Sequence, residues 1–337
     1  MSGAIRGAID GWVARRRASI DPGIPAHDEF VCNVRGWRLP LRRLRASGVA
    51  GGRSGPPVVL CHGLGGNGRS MTLPTTLGPA LSSRGFDVWI AELPSTRASV
   101  APVDRDRCDV DARLWADSAA LVAYTVATEA GVPLVDWVGH SLGAWAAIVA
   151  GDHAPVRRVV ALGATLHFDA NRALAKALSA ARLIGRTLGG GKRVPQSTLG
   201  AIEAPLMGRF ELPEALSFVS PSGLDPALTR QLHALAVEDL PMGILDDVAR
   251  WCEGDASTVA PWLAAARRSS AEVLFVAGER DLWAPPANVE RSTTALASRG
   301  ARMIVARGYT HQQLAFGPAR PSDVDGAIRE WLSGTVL

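Results

Sequence analysis

Cysteine is scarce in this chain, with four among 337 residues. Cys32, Cys61, Cys108 and Cys252 lie far apart and form no C-x-x-C pair. That spacing excludes the usual zinc and dithiol-redox arrangements and asks for no oxidising compartment. Long apolar runs are missing too. No segment offers the ~18 consecutive apolar residues of a membrane span, so no transmembrane helix is expected. The opening stretch has its apolar residues interrupted by Arg6 and Asp10, unlike a secretory signal, and a cytoplasmic location is the expectation. The chain also lacks a strong charge of either sign, its formal net charge being +4. The basic residues are mostly arginine and scattered. The densest run, Arg15, Arg16 and Arg17, reads as a solvated helix face. No basic patch interleaved with stacking aromatics is visible, which argues against a nucleic-acid partner. The phosphate-loop fingerprint is absent, as is any metal-ligand cluster, and the lone G-x-G-x-x-G lettering from Gly63 to Gly68 reads as a glycine turn rather than a dinucleotide site, so neither a cofactor nor a metal is expected.

What is present is an ordinary globular composition, 47% hydrophobic and 20% charged. Residues 29–45 read as two strands around a turn at Arg35–Gly36, followed by a Gly/Pro/Ser loop from Ser47 to Pro57. After that loop, short apolar runs alternate with helical patterns. Strands are expected at PVVLCHG, 85–93, 134–140, 156–164, 271–278 and 301–307. Helices are expected at 70–84, 109–130, 142–150, 286–299 and 322–333. This alternation predicts an α/β fold, a mostly parallel sheet with helices on both faces. Residues 165–265 break the rhythm. Helical pieces are expected at 166–186, 225–240 and 241–251, a loop at 189–196, and no convincing buried strand.

The expected organisation is therefore an N-terminal helical arm (1–28), a first core part (29–164), a helical cap insertion (165–265) and a second core part (266–337). Ile5, Ile9, Trp12 and Val13 share one side of a helix over 4–18. Docking on the protein's own core is the plainer reading of that helix, and contact with a membrane surface is the alternative.

Four motifs carry chemistry. Gly139-His140-Ser141-Leu142-Gly143 is a glycine-x-serine-x-glycine turn between a strand and an Ala-rich helix. A nucleophilic serine needs a sharp, strained turn there, and side chains two residues either way would collide with neighbouring elements. The alternative is a structural turn with an idle serine. The second motif, Cys61-His62-Gly63-Leu64-Gly65-Gly66-Asn67, is a glycine-rich loop after an apolar strand. The backbone N–H groups of Leu64 and Leu142 are candidate donors to an oxyanion. Third, Asp281 follows the end of a buried strand, where a carboxylate can orient an imidazole. Glu279 is its nearest competitor, and Asp246, Asp247 and Asp255 are remoter ones. Fourth, His311 follows the last strand and is the only histidine beyond Asp281. His62 and His140 read as shaping the two glycine motifs, while His27, His153, His167 and His233 have no comparable setting.

With these motifs in the order Ser141, Asp281, His311, the sequence resembles the α/β-hydrolase superfamily. The run from Pro57 to Ser95 is similar to its lipase, esterase and polyester-synthase-like branches. The resemblance covers about 30–164 and 266–337. It implies an α/β-hydrolase fold with Ser141 as nucleophile, Asp281 as acid, His311 as base, and Leu64 and Leu142 as oxyanion donors. Gly63, Gly139 and Gly143 would be the glycines of loop and elbow. Polyester synthases of this branch carry cysteine at the elbow, and dehalogenases and epoxide hydrolases carry aspartate, so serine points to hydrolysis of a carboxylic ester. An acyltransferase or thioesterase with the same acyl-enzyme, or a non-catalytic binding protein on this fold, are the alternatives. Phe168, Met207, Phe210, Phe218, Met242 and Trp251 lie in the cap and either line an apolar acyl pocket or pack the cap on the core. The substrate-binding residues, natural substrate and oligomeric state are not legible.

Overall fold

A computed structural model describes residues 3–45, 56–169, 171–205, 224–316 and 322–334. Its strands, in chain order, are β1 (His27–Val34), β2 (Trp37–Leu44), β3 (Val58–Cys61), β4 (Val88–Ala91), β5 (Val135–His140), β6 (Val156–Leu162), β7 (Arg193–Val194), β8 (Leu240–Pro241), β9 (Glu272–Gly278) and β10 (Arg302–Ala306). The helices are α1 (Gly3–Ile20), α2 (Leu77–Ser82), α3 (Ala112–Ala130), α4 (Leu142–Val149), α5 (Arg172–Leu188), α6 (Gln196–Glu203), α7 (Pro226–Gln231), α8 (Met242–Cys252), α9 (Ala256–Arg268), α10 (Pro286–Ala295), α11 (Gln313–Phe316) and α12 (Ser322–Ser333).

Eight strands form one sheet in the order β1-β2-β4-β3-β5-β6-β9-β10. The β1–β2 hairpin pairs antiparallel with itself and with β4, and every other pairing is parallel. Arg35 and Gly36 close the hairpin with φ of 46° and 83°. Two left-handed residues give the turn whose twist matches the strands. The central strands β3 and β4 are apolar throughout because both faces are covered, whereas β5 and β6 also carry Asp136 and Arg157, which pair at 2.7 Å. Successive side chains point opposite ways. Val59 and Cys61 therefore pack with Trp89, Trp137 and Phe275 against α3 and α4. Val58 and Leu60 pack with Ile90, Val138 and Leu274 against α2 and α12. The chain leaves β3 for β4 on one side and returns to β5 on the other. The C-terminal ends of β3 and β5 thus border a switch point, where open α/β sheets hold ligands.

Several local expectations are corrected. The helix expected over 70–84 is a single 3-10 turn, Gly68–Met71, and then the short α2. Pro74 lies between them and has no N–H to continue a helix. The loop expected at 189–196 contains β7, which pairs antiparallel with β8. It is followed directly by α6. Of the helix expected over 225–240, only α7 is α-helical. A π-helical turn, Leu232–Ala236, follows it, and the chain then extends. The loop from Ser47 to Pro57 lies almost wholly outside the described residues.

The helix α1 packs on α6 and the π-helical turn, with Val13 buried and Trp12 exposed. The side chains of Ile5 and Ile9 lie outside the described ones. Arg17 departs from the solvated reading of Arg15–Arg17. Its Nε donates to the Ala234 carbonyl at 2.9 Å and its Nη2 to the Ser197 carbonyl at 3.0 Å. Among the described residues no helix is long and apolar enough to cross a membrane.

Candidate active site

Ser141 stands between β5 and α4 with φ 51° and ψ −126°, a conformation that L-residues adopt only under constraint. The surroundings supply the constraint. Its N–H donates to the Leu162 carbonyl at 2.8 Å. A β-carbon built on Gly139 would lie 2.4 Å from the Ala144 nitrogen, and one on Gly143 would lie 2.1 Å from the His62 carbonyl oxygen. Neither position tolerates a side chain, so the two glycines let β5 and α4 close onto the loop after β3. Gly63 meets the elbow from that loop, its built β-carbon 3.1 Å from the Ser141 Cβ. Leu142 opens α4, whose first amides have no partner within the helix and point their partial positive charge at the elbow.

The loop carrying Leu64 is held at several points. Gly66 N–H donates to the Gly63 carbonyl at 3.1 Å, closing a turn. His62 is buried. Its Nε2 accepts from the Leu93 N–H at 3.1 Å, so Nδ1 is the donor to the Gly63 carbonyl at 2.9 Å. Burial holds this imidazole below its ordinary pKa, in keeping with the neutral form those two bonds require. The far end of the loop is tied to the chain after the π-helical turn. Glu238 N–H donates to the Gly65 carbonyl at 2.8 Å. Asn67 Nδ2 donates to Glu238 Oε1 at 2.6 Å and to the Leu235 carbonyl at 3.0 Å. The Arg97 guanidinium lies 3.2 Å from the same Glu238 oxygen.

His311 and Asp281 meet from the loops after β10 and β9. His311 Nδ1 donates to Asp281 Oδ2 at 2.8 Å, and both side chains are buried. The other carboxylate oxygen, Oδ1, accepts from the N–H groups of Trp283 and Ala284, each at 2.8 Å. With Nδ1 donating, the neutral ring carries its lone pair on Nε2. The competing carboxylates are engaged elsewhere. Glu279 accepts from the Gly308 N–H, Asp246 pairs with Arg182, Asp247 accepts from the Ala112 N–H, and Asp255 caps α9.

Gly163 and Asn171 in this neighbourhood had no sequence signal of their own, and His140 stood out only as a member of the elbow motif. Gly163, with φ +59°, ends β6 against the imidazole, and a β-carbon there would lie 2.9 Å from His311 Nδ1 and 3.1 Å from Asp281 Oδ2. It also follows Leu162, whose carbonyl holds the Ser141 N–H, so one turn of chain borders serine and imidazole together. His140 Nε2 donates to the His311 carbonyl at 3.1 Å, with the two rings 4.6 Å apart. Burial first, and the charge of His311 second, push His140 well below its ordinary pKa. Asn171 caps α5 through Oδ1, and its Nδ2 donates to the carbonyls of Leu282 and Trp283, both at 3.0 Å. The stretch between β6 and β9 thereby also reaches the loop that carries Asp281.

Ser141, Leu142, Gly63, Leu64 and His311 all line one cavity of about 420 Å³. Its other walls are mainly apolar, including Trp145, Phe168, Leu178, Leu232 and Leu245, with Gln196 and His233 among the polar exceptions. Phe168 thus reaches the cavity. It also stacks 5.0 Å from Trp251, which in turn packs 4.8 Å from Trp145. Met242 and Trp251 belong to the packed core, whereas Met207, Phe210 and Phe218 lie outside the described residues.

The alpha/beta hydrolase family model matches residues 58–324, and the chain belongs to that family. No curated protein matches its sequence. Similar solved structures include a malate-bound thermophilic esterase from Thermogutta terrifontis, 16% identical, with a TM-score of 0.57 over 92% of this chain and 98% of that one. A monoacylglycerol lipase from Paleococcus ferrophilus is 20% identical, with a TM-score of 0.54 over 83% of this chain and 96% of that one. A carboxylesterase from Bacillus subtilis is 14% identical, with a TM-score of 0.53 over 96% and 97%. At these identities the likeness is one of fold. The eight-stranded, mostly parallel sheet is that of the α/β-hydrolase fold.

Proposed function

We propose that this chain is a serine hydrolase that cleaves carboxylic esters through an acyl-enzyme at Ser141. The observation that carries the reading is the shared cavity. A serine on a strained elbow and an imidazole bonded to a buried carboxylate both border it. In this reading His311 Nε2 takes the proton as Ser141 Oγ attacks the ester carbonyl. The N–H groups of Leu64 and Leu142 receive the oxyanion, and loss of one such donor typically costs ~10²–10³ in rate. The tetrahedral intermediate collapses, His311 passes the proton to the leaving alkoxide, and the alcohol departs. Water, deprotonated by the same ring, then attacks the acyl-enzyme and releases the acid. Asp281 fixes the tautomer and stabilises the imidazolium that forms in each step.

Residues 165–265 act as a cap that sets specificity, and the apolar walls favour an apolar acyl group. The names of the similar structures, an esterase, a carboxylesterase and a monoacylglycerol lipase, agree with an ester substrate. Four unpaired cysteines suit a cytoplasmic setting. The test is turnover of p-nitrophenyl esters of increasing chain length by the wild type and by Ser141→Ala, alongside labelling with a fluorophosphonate. The Ser141→Ala protein is expected to keep its fold, lose labelling and lose at least ~10³-fold in kcat. Full activity in that variant would refute the assignment. Product analysis with alcohol and thiol acceptors separates hydrolysis from acyl transfer, which uses the same intermediate.

A further inference from the structure

Away from the reacting groups, the outer rim of α5 and α6 exposes large apolar side chains to solvent. Leu188 is 71% exposed and Leu183 64%, with Ile184, Leu199 and Ile202 also in the exposed range. Ile184 and Leu199 line the cavity as well, so its mouth opens within this rim. Winding α5 at about 100° per residue puts Leu183, Ile184, Thr187 and Leu188 on one arc. Arg172, Lys176 and Arg186 fall beside Leu183 at the edge of that arc.

The charge on this stretch is of one sign. Between Asn171 and Ile202 the sequence holds Arg172, Lys176, Arg182, Arg186, Lys192 and Arg193, and no aspartate or glutamate. Arg182 pairs with Asp246 at 2.7 Å and Arg193 with Asp239 at 3.2 Å. Arg172, Lys176, Arg186 and Lys192 are exposed. Glu203, at the end of α6, is the one carboxylate among the described lining residues. Leucines in water with cations at their flanks make a poor solvent-facing surface. They match a helix lying in a lipid interface, apolar arc toward the acyl chains and cations among anionic headgroups.

We propose that the α5–α6 rim docks the protein on an anionic lipid surface, with the mouth of the cavity held against the bilayer. This goes beyond the esterase reading and does not rest on it, because docking needs no chemistry at Ser141. The experiment uses full-length Ser141→Ala protein, so that no lipid is turned over. It is sedimented with vesicles of phosphatidylcholine and with vesicles containing about one third phosphatidylglycerol. The protein is expected to pellet with the anionic vesicles, and raising the salt to ~1 M, where the Debye length falls to ~3 Å, should release much of it.

Each exposed cation near the surface is worth about a fivefold change in partitioning, so Lys176→Ala with Arg186→Ala is expected to lower binding ~25-fold. Leu183→Asp with Leu188→Asp should lower it at least ~10-fold. Neither pair is buried or lines the cavity, so the urea midpoint of each doubly substituted protein should match that of its Ser141→Ala parent. That last measurement also separates a docking defect from a folding defect. Equal pelleting by wild-type and doubly substituted rims overturns the proposal. So does failure to pellet with anionic vesicles at low salt. Self-association abolished by the leucine substitutions, without vesicle binding, overturns it in favour of a contact between two copies of the chain.

Discussion

Gly163→Ala tests the geometry of the site most sharply. The added carbon would stand 2.9 Å from His311 Nδ1 and 3.1 Å from both His311 Cε1 and Asp281 Oδ2. Carbon contacts settle at ~3.5–4.0 Å, so imidazole and carboxylate must retreat by roughly half an ångström or more. A misplacement of ~1 Å costs ~10² in rate, which sets the expected loss in kcat at ~10- to ~100-fold. The substitution carries a second cost, because φ at 163 is +59° and a left-handed L-residue is disfavoured by ~1–2 kcal/mol. Gly131 isolates that second cost. It has φ +67° at the end of α3 and nothing within 4 Å of its built β-carbon. Urea denaturation should show similar losses of stability for Gly163→Ala and Gly131→Ala. Only Gly163→Ala should lose turnover of a short p-nitrophenyl ester, with KM little changed. Wild-type kcat in Gly163→Ala, or an equal loss in both variants, would refute the argument that the imidazole is held in place against residue 163.

Two further outcomes follow from the same bonds. In Asp281→Asn the amide keeps an oxygen for the Trp283 and Ala284 N–H groups but turns a donor toward His311 Nδ1. The ring is driven to the other tautomer, and kcat is expected to fall ~10⁴-fold with an intact fold; a loss under tenfold would show that Asp281 does not orient the ring. His62 and His140 both have folded pKa values below their ordinary 6.5, so the folded state binds fewer protons than the unfolded chain. Stability from each ring is complete above about 6.5 and is lost as the pH falls below that, by up to about 1.4 kcal/mol per pH unit per ring. Urea midpoints at pH 7.5, 6 and 5 should decline in the wild type and decline less steeply in His140→Gln; identical slopes would exclude His140 as a source.

Much of the candidate site was legible because its residues lie next to strong local signals. Runs such as VVLC and VWIA read as strands because a strand covered on both faces is apolar nearly throughout. Gly139 and Gly143 stand out by their spacing about Ser141, and Asp281 and His311 by following the ends of strands. Gly163 carries no comparable mark. It is one glycine among 35, and only the packing of β6 against residues more than a hundred positions later gives it a purpose. The same holds for Asn171 and Glu238, polar residues in helical and loop contexts whose partners are distant carbonyls and amides. In the stretch between β6 and β9, α6 was hidden by Pro195 before it and Gly200 within it. Gly200 is required there by the His233 carbonyl, 2.9 Å from its built β-carbon. The helix α9 contains Pro261 and buries only Ala266 fully, so no apolar stripe announces it.

The attachment of Gly65 and Asn67 to Glu238 bears on how such a protein can change. The loop that would receive developing negative charge takes part of its shape from a segment inserted between two strands of the sheet. Grafting a foreign insertion onto this scaffold would therefore exchange more than the walls around a substrate. A chimera lacking a counterpart to the Glu238 amide and carboxylate would leave the Gly65 carbonyl and the Asn67 amide to find other company. For the esterase proposed above, selectivity and rate would in this sense be inherited together, and the insertion would vary freely only where it spares those anchors.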